Sequence, residues 1–138
     1  MTTLAVDILD TLEAAGLIGG VTGWARAAEY LPPSPDKVVA VFETPGLPPE
    51  VVSEGSTETA YDIPGFQVRA RGDVHGFAAM RDKLAAIYIE LHGTAIAAQT
   101  DRPGYLFVRA VQSAPMSLGL DEKSRPGATW NFVAIKER

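Results

Sequence analysis

The chain has 138 residues, of which 46% are hydrophobic and 21% are charged, a balance typical of one globular domain and not of a disordered protein. Its net charge of −5 argues against nucleic-acid binding as the main function, because such surfaces need Lys and Arg to neutralise phosphates. There is no cysteine, which excludes disulfide bonds and thiolate metal sites. No apolar run reaches the ~18 residues of a membrane span. The acidic N-terminal stretch lacks the basic start of a signal peptide, so we expect no membrane partner.

The first predicted element is an amphipathic helix over residues 4–15. Its apolar residues recur with the 3.6-residue period of a surface helix. Asp7, Asp10 and Glu13 fall on the other side of this pattern, so we expect them to face water. Gly16 is suited to end the helix.

A buried strand is predicted next, over residues 38–44. This run is rich in β-branched residues and is bracketed by prolines. Residues 45–61 contain Gly, Pro, Ser, Thr and Glu without a sustained period. They predict a long exposed loop.

Residues 64–72 predict the next strand, in which alternate side chains point to opposite faces. The core face should hold Phe66, Val68 and Ala70, and the opposite face Gln67, Arg69 and Arg71. The two arginines could bind a ligand, face water or contact a neighbouring subunit. Composition alone does not choose between these roles.

A second helix gives the strongest helical pattern of the chain. Asp73 is placed to cap it, and Gly93 to end it. One face holds Phe77, Met80, Leu84, Ile87 and Leu91. A smaller apolar stripe of Ala78, Ala85 and Ile89 permits close approach by another element, either of the same chain or of another subunit.

Three further β-like segments follow, near residues 94–99, 105–111 and 128–136, and residues 113–127 predict a loop. Segment 105–111 is apolar on both faces. It therefore predicts a helix on one face and either another subunit or the second helix on the other. The order of elements predicts a single α+β domain over residues 1–138, with a mainly antiparallel β-sheet flanked by two α-helices.

The sequence gives no positive case for catalysis. His75 and His92 lie at opposite ends of the second helix, and phosphate-loop, metalloprotease and nucleophile-elbow motifs are absent. We therefore predict no catalytic, cofactor-binding or metal-binding residues. Trp24 and Trp130 are expected to pack in the core or at its edge and not to stack on nucleic-acid bases. The competing enzymatic hypothesis is a small hydrolase or nucleic-acid-processing enzyme that assembles a site from dispersed residues, namely His75, Asp73 and Arg71.

Four stretches together resemble the minor capsid or tail terminator family of long-tailed bacteriophages: VVAVFETPGLPP, YDIPGFQVRARG, DVHGFAAMRDKLAAIYIEL and TWNFVAIKE. The similarity spans about residues 37–138. Its most specific part is the string Pro64, Gly65, Phe66, Gln67, Val68, Arg69, Arg71 and Gly72. One departure is Pro45, where the family more often has glycine, and it makes that turn stiffer.

The resemblance implies a structural virion protein that forms a ring, hexameric in the family, at the head-proximal end of the tail tube. Such a ring stops tube polymerisation and joins the tail to the head. The implied partners are further copies of the chain, the tail tube protein and a head-completion or neck protein, with DNA passing through the lumen without specific binding. Assembly would take place in the host cytoplasm. The related alternative is another neck, head-closure or tail-completion ring protein.

On this reading, the arginines of the central strand pair with carboxylates of the next subunit. The expected subunit or partner contacts are Gln67, Arg69 and Arg71 on the strand, Glu50, Glu54 and Glu58 in the first loop, and Met116 and Leu118 in the second. Alternatively, Met116 and Leu118 fold back onto their own core. Deletion of residues 50–58 should leave the fold intact and impair joining of the tail or the head.

Overall fold

The computed structural model describes residues 3–51, 59–93 and 105–137, and it shows one compact α+β domain, as predicted. No helix in these residues is long and apolar enough to cross a membrane. In chain order the elements are α1 (Leu4–Ala14), β1 (Ala25–Ala28), β2 (Val38–Val51), β3 (Thr59–Arg71), α2 (Phe77–Leu91), β4 (Phe107–Ala110), β5 (Met116–Leu120) and β6 (Pro126–Glu137).

The strands form one six-stranded sheet in the order β1-β2-β3-β6-β4, with β5 also paired to β6. Strand β1 is parallel to β2, and the other pairs are antiparallel. Strand β3 lies at the centre, between β2 and β6. One edge of β6 pairs with β3, and β4 and β5 pair with different parts of its other edge. The three central strands are long, and the three outer strands, β1, β4 and β5, are short.

Both helices pack on one face of the sheet. Val68 of β3 lies opposite Val41 of β2 and Trp130 of β6, so these three side chains share a face, and they belong to the same core cluster as α1 and α2. The rings of Phe66 and Phe132 stack there with centroids 5.3 Å apart. The predicted inward direction of Phe66, Val68 and Ala70 is confirmed, because all three are fully buried.

The long loop expected over residues 45–61 is wrong for residues 45–51 and 59–61, while residues 52–58 lie outside the described residues. Strand β2 continues to Val51 and β3 begins at Thr59, so these strands form a long hairpin. Register shifts between Thr44 and Val51 let the strand pass its prolines, which have no N–H for ladder bonds. Gly46 lies at the first shift with a φ of 72°, a left-handed conformation that favours glycine.

The start of α2 also differs from the prediction. Its N-cap is Gly76 and not Asp73, since a tight turn intervenes in which the Gly76 N–H donates to the Asp73 carbonyl oxygen at 2.8 Å. Phe77 is therefore the first helical residue. Its ring is 47% exposed and lies beside the Arg81 guanidinium at the surface, whereas the other four predicted core residues of this helix are buried.

Two smaller predictions fail, and one strand was missed. The side chain of Asp7 is only 2% exposed, although it was expected to face water with Asp10 and Glu13. Strand β5 lies within the predicted loop over residues 113–127, and β1 was not expected. The predicted segment 94–99 lies outside the described residues.

The apolar segment over residues 105–111 forms β4, at an edge of the sheet. Val108 is fully buried on the helix side, while Phe107 is 41% exposed on the other side. A sandwich between both helices is wrong, because α2 contacts β4 whereas α1 packs against β1 and β2. The expected burial of Trp24 and Trp130 is confirmed.

Candidate interaction surface

The sheet face opposite the helices carries neither α1 nor α2, and we call it the bare face. Arg69 of β3 lies on it, opposite Ala40 of β2 and Thr129 of β6. Among strand residues whose side chains the structure describes, the charged ones on this face are Arg69, Arg71 and Arg109. Because these described strand residues include arginines and no carboxylate, this part of the face is suited to meet an acidic partner.

Gln67 lies on the bare face, as predicted. Its side-chain amide donates to the Asn131 side-chain oxygen at 3.1 Å, across the pairing of β3 with β6. This contact holds both polar side chains in place at the middle of the face. Its role in a subunit contact stays a prediction.

Arg71 is on the predicted face but is held by its own chain. It is 5% exposed and donates from Nε to the Asp36 carbonyl oxygen at 2.9 Å and from Nη2 to the Pro35 carbonyl oxygen at 2.8 Å. Burial and the nearby positive charge of Arg125 lower the pKa of Arg71 from its usual value. The side chain expected to contact a neighbouring subunit therefore anchors residues 35 and 36 across the sheet.

Arg125 is a buried charge that sequence reasoning missed. It pairs with Asp121 at 2.9 Å and with Asp36 at 3.1 Å, and it donates to the Pro33 carbonyl oxygen at 2.7 Å. The spacing of Asp121 and Arg125 within one turn is a local signal that could have suggested their pairing. Nothing local in the sequence links either residue to Asp36.

Arg69, Arg71 and Arg125 line one cavity of about 260 Å³, which we call the arginine groove. Its apolar rim is formed by Leu31, Leu118 and Leu120. Arg69 is half-buried, and no hydrogen bond or ion pair joins it to another described residue. The groove thus combines a guanidinium without a carboxylate partner in the described chain with apolar walls.

Strand β5 forms the outer border of this groove. Met116, Leu118 and Leu120 are 56%, 41% and 58% exposed, so the alternative in which Met116 and Leu118 fold back onto the core is wrong. Within the described residues, β5 pairs only with β6, and its second edge is open. An apolar edge strand of this kind is a template for pairing with another chain.

The three predicted acidic contacts lie, in the sequence, at or after the end of β2. Glu50 pairs through its backbone with Tyr61, and its side chain is outside the described part of the chain. Glu54 and Glu58 also lie outside the described residues. Their part in a partner contact stays a prediction.

The residues of the hydrolase hypothesis do not form a common site. Arg71 lines the arginine groove, whereas Asp73 and His75 do not line it and are exposed in the turn before α2. His92 accepts a hydrogen bond at Nδ1 from the Ala110 N–H, which ties α2 to β4. Within residues 3–51, 59–93 and 105–137, no three His, Asp or Glu side chains are grouped as metal ligands.

A family model described as bacteriophage tail terminator protein matches residues 11–138. The chain belongs to this tail terminator family. The resemblance seen in the sequence is thereby confirmed. The family is one of structural tail proteins and not of enzymes, so the chain is a structural protein of a phage-type virion tail.

A solved structure agrees in fold with this tail terminator family member. It comes from the virion of a native gene transfer agent particle and shares 18% sequence identity, with a TM-score of 0.66. The match covers 98% of this chain and 95% of the solved one. A search of the curated proteins finds no match.

Proposed function

We propose that the protein is the tail terminator of its particle and acts as a ring of six copies. The ring sits at the head-proximal end of the tail tube, stops addition of further tube subunits and provides the surface to which the head attaches. The observation that carries the proposal is the tail terminator match over residues 11–138. Its direct partners are then the tail tube protein and a head-completion or neck protein.

The surface of the domain supports self-assembly. A closed ring needs two different patches on each subunit, which meet in the same way at every contact. The open apolar edge at β5 and the bare face provide one such patch. The exposed side chains of Met116, Leu118 and Leu120 give it an apolar component that a single copy leaves in water.

The charge of the chain is compatible with a ring through which DNA passes. The net charge of −5 disfavours tight binding to phosphates. DNA could therefore slide through such a ring without specific contacts. On this proposal the protein is assembled in the host cytoplasm and remains in the virion.

The experiment is polymerisation of the particle's tail tube protein with and without the purified chain, with tube lengths measured by electron microscopy. We expect the chain to cap tubes and stop their growth. The double substitution Met116→Glu and Leu118→Glu should abolish capping because it places negative charges on the β5 edge. The matched control is Val21→Glu, a fully exposed residue outside this edge. Tubes that keep growing with the wild-type chain present would refute the proposal.

A further inference from the structure

The charge of the chain is unevenly distributed. Residues 38–68, which span β2 and most of β3, contain five of the 17 acidic residues and none of the 12 Lys and Arg residues. This hairpin therefore accounts for the entire net charge of −5, and the remainder of the chain is balanced.

The acidic character is greatest at the hairpin end. We define residues 50–58, EVVSEGSTE, as the acidic segment; it holds Glu50, Glu54 and Glu58 together with two valines. It combines carboxylates with apolar side chains. A site that binds such a segment needs guanidinium groups next to an apolar wall.

The arginine groove has this composition. The hydrogen bonds of Arg71 go to two neutral carbonyl groups, and Arg69 has no carboxylate partner in the described chain. Arg125 is balanced by Asp36 and Asp121. The groove therefore carries positive charge beyond its own carboxylates, and Leu118 and Leu120 lie beside it.

The acidic segment cannot reach the groove of its own copy. Arg69 lies ten residues after Thr59 on β3, or roughly 33 Å at about 3.3 Å per strand residue. Val51 pairs with Thr59, so both ends of residues 52–58 are held together. A seven-residue connection held in this way extends at most about 14 Å from its ends. Any contact between the two is therefore a contact between copies.

We propose that the acidic segment of one copy binds the arginine groove of the next copy. The contact joins opposite ends of the hairpin, so it is heterologous and repeats from copy to copy until the ring closes. It rests on the proposed ring and names the surfaces that form it. Arg69 is the guanidinium that pairs with the incoming carboxylates, while Arg71 and Arg125 keep the groove in shape through their contacts with residues 33–36.

The test is charge reversal on both sides of the contact. Arg69→Glu should raise the protein concentration needed for assembly by about tenfold or more, because it places like charges in contact. The double substitution Glu54→Arg and Glu58→Arg should have the same effect. A chain with all three substitutions should assemble again, because the opposite charges are restored. Assembly is read by light scattering in solution and by electron microscopy on tail tubes.

Arg81→Glu is the matched control, because Arg81 is an exposed arginine of α2, which packs on the opposite face of the sheet from the groove. It should leave assembly unchanged. Arg69→Gln keeps a polar side chain without charge and is therefore less disruptive to the fold than Arg69→Glu. It should give an intermediate loss of assembly. At concentrations below those at which the wild type assembles, thermal melts of all variants should coincide with that of the wild type.

The outcomes separate this contact from the proposed ring. If the Arg69→Glu variant forms rings as readily as the wild type does, the groove contact is overturned and the proposed ring is not. A wild type that is monomeric both in solution and on tail tubes overturns both. If Arg69→Glu assembles normally but loses binding to a DNA duplex that the wild type retains, the groove binds phosphate and the proposal is wrong.

Discussion

The two faces of the sheet differ in what they bury. The helix side is closed by α1 and α2 over side chains such as Val68 and Phe132, which are at most 1% exposed. The bare face has arginines and partly exposed apolar residues, among them Phe107 at 41%. One face therefore stabilises the single copy, and the other is available for contacts between copies. Substitutions on the two faces should separate folding from assembly.

The largest effect is expected on the helix side. Phe132→Ala removes a ring that is 1% exposed and stacks on Phe66, so it should lower the free energy of unfolding by about 3 to 5 kcal/mol. Phe107→Ala on the bare face should cost less than about 1 kcal/mol. Urea denaturation measures both. Equal losses would show that the bare face is as important to folding as the helix side.

Gly46 tests how the hairpin passes its prolines. An added Cβ would come within 2.6 Å of the Gly65 backbone nitrogen, and the φ of 72° is itself unfavourable for alanine. Gly46→Ala should therefore cost about 1 to 3 kcal/mol of stability. Gly16→Ala is the control, because Gly16 has a φ of 78° with open space around it. Its cost should be smaller, and a cost equal to that of Gly46→Ala would rule out the steric explanation.

Arg71 and Arg69 test whether two arginines of one strand face have different roles. Arg71→Met removes the hydrogen-bond donors to the backbone carbonyl oxygens of residues 35 and 36. It should therefore lower the free energy of unfolding by about 1 to 3 kcal/mol. Arg69→Met should change stability by less than about 0.5 kcal/mol. Thermal unfolding of both variants checks this. Similar losses would show that Arg69 also anchors its own chain.

The smallest effect is a pH dependence at the border of the groove. Hydrogen bonds from the backbone N–H groups of Arg125 and Lys123 and from the Arg125 side chain hold the pKa of Asp121 below its usual value. Since folding lowers this pKa, the stabilisation is fully present above the pKa of the unfolded chain and is lost as pH falls through the lower folded value. Asp121→Asn should flatten the fall in stability below about pH 4. An unchanged slope would contradict this.

Strand alternation made much of the fold predictable. In residues 64–72 the apolar and polar side chains alternate, and this pattern correctly placed Phe66 and Val68 in the core and Arg69 on the other face. The extension of β2 was not predictable in the same way, because Pro45, Pro48 and Pro49 are typical of loops. Only the register shifts, visible in the structure, show how the strand accommodates them.

The arginine groove was only partly predictable. Arg69 and Leu118 were both proposed as contacts, but their proximity depends on how β5 folds back on β6 and not on sequence spacing. The ion pair of Arg125 with Asp36 joins residues 89 positions apart, so no local pattern indicates it. Strand β5 could not be predicted from the sequence because it is short and has no buried face. All five of its residues are exposed, so they show no alternation of buried and exposed positions.

The most direct test of assembly through unlike surfaces is chemical cross-linking, which is clean because the chain has no cysteine of its own. Chains that carry both Ser56→Cys and Leu118→Cys are treated with a short thiol-reactive cross-linker and separated by denaturing electrophoresis. We predict a ladder of cross-linked species that ends at six copies, and no ladder from either single variant. Dimers from the single variants, without a ladder from the double variant, would contradict a ring built from heterologous contacts.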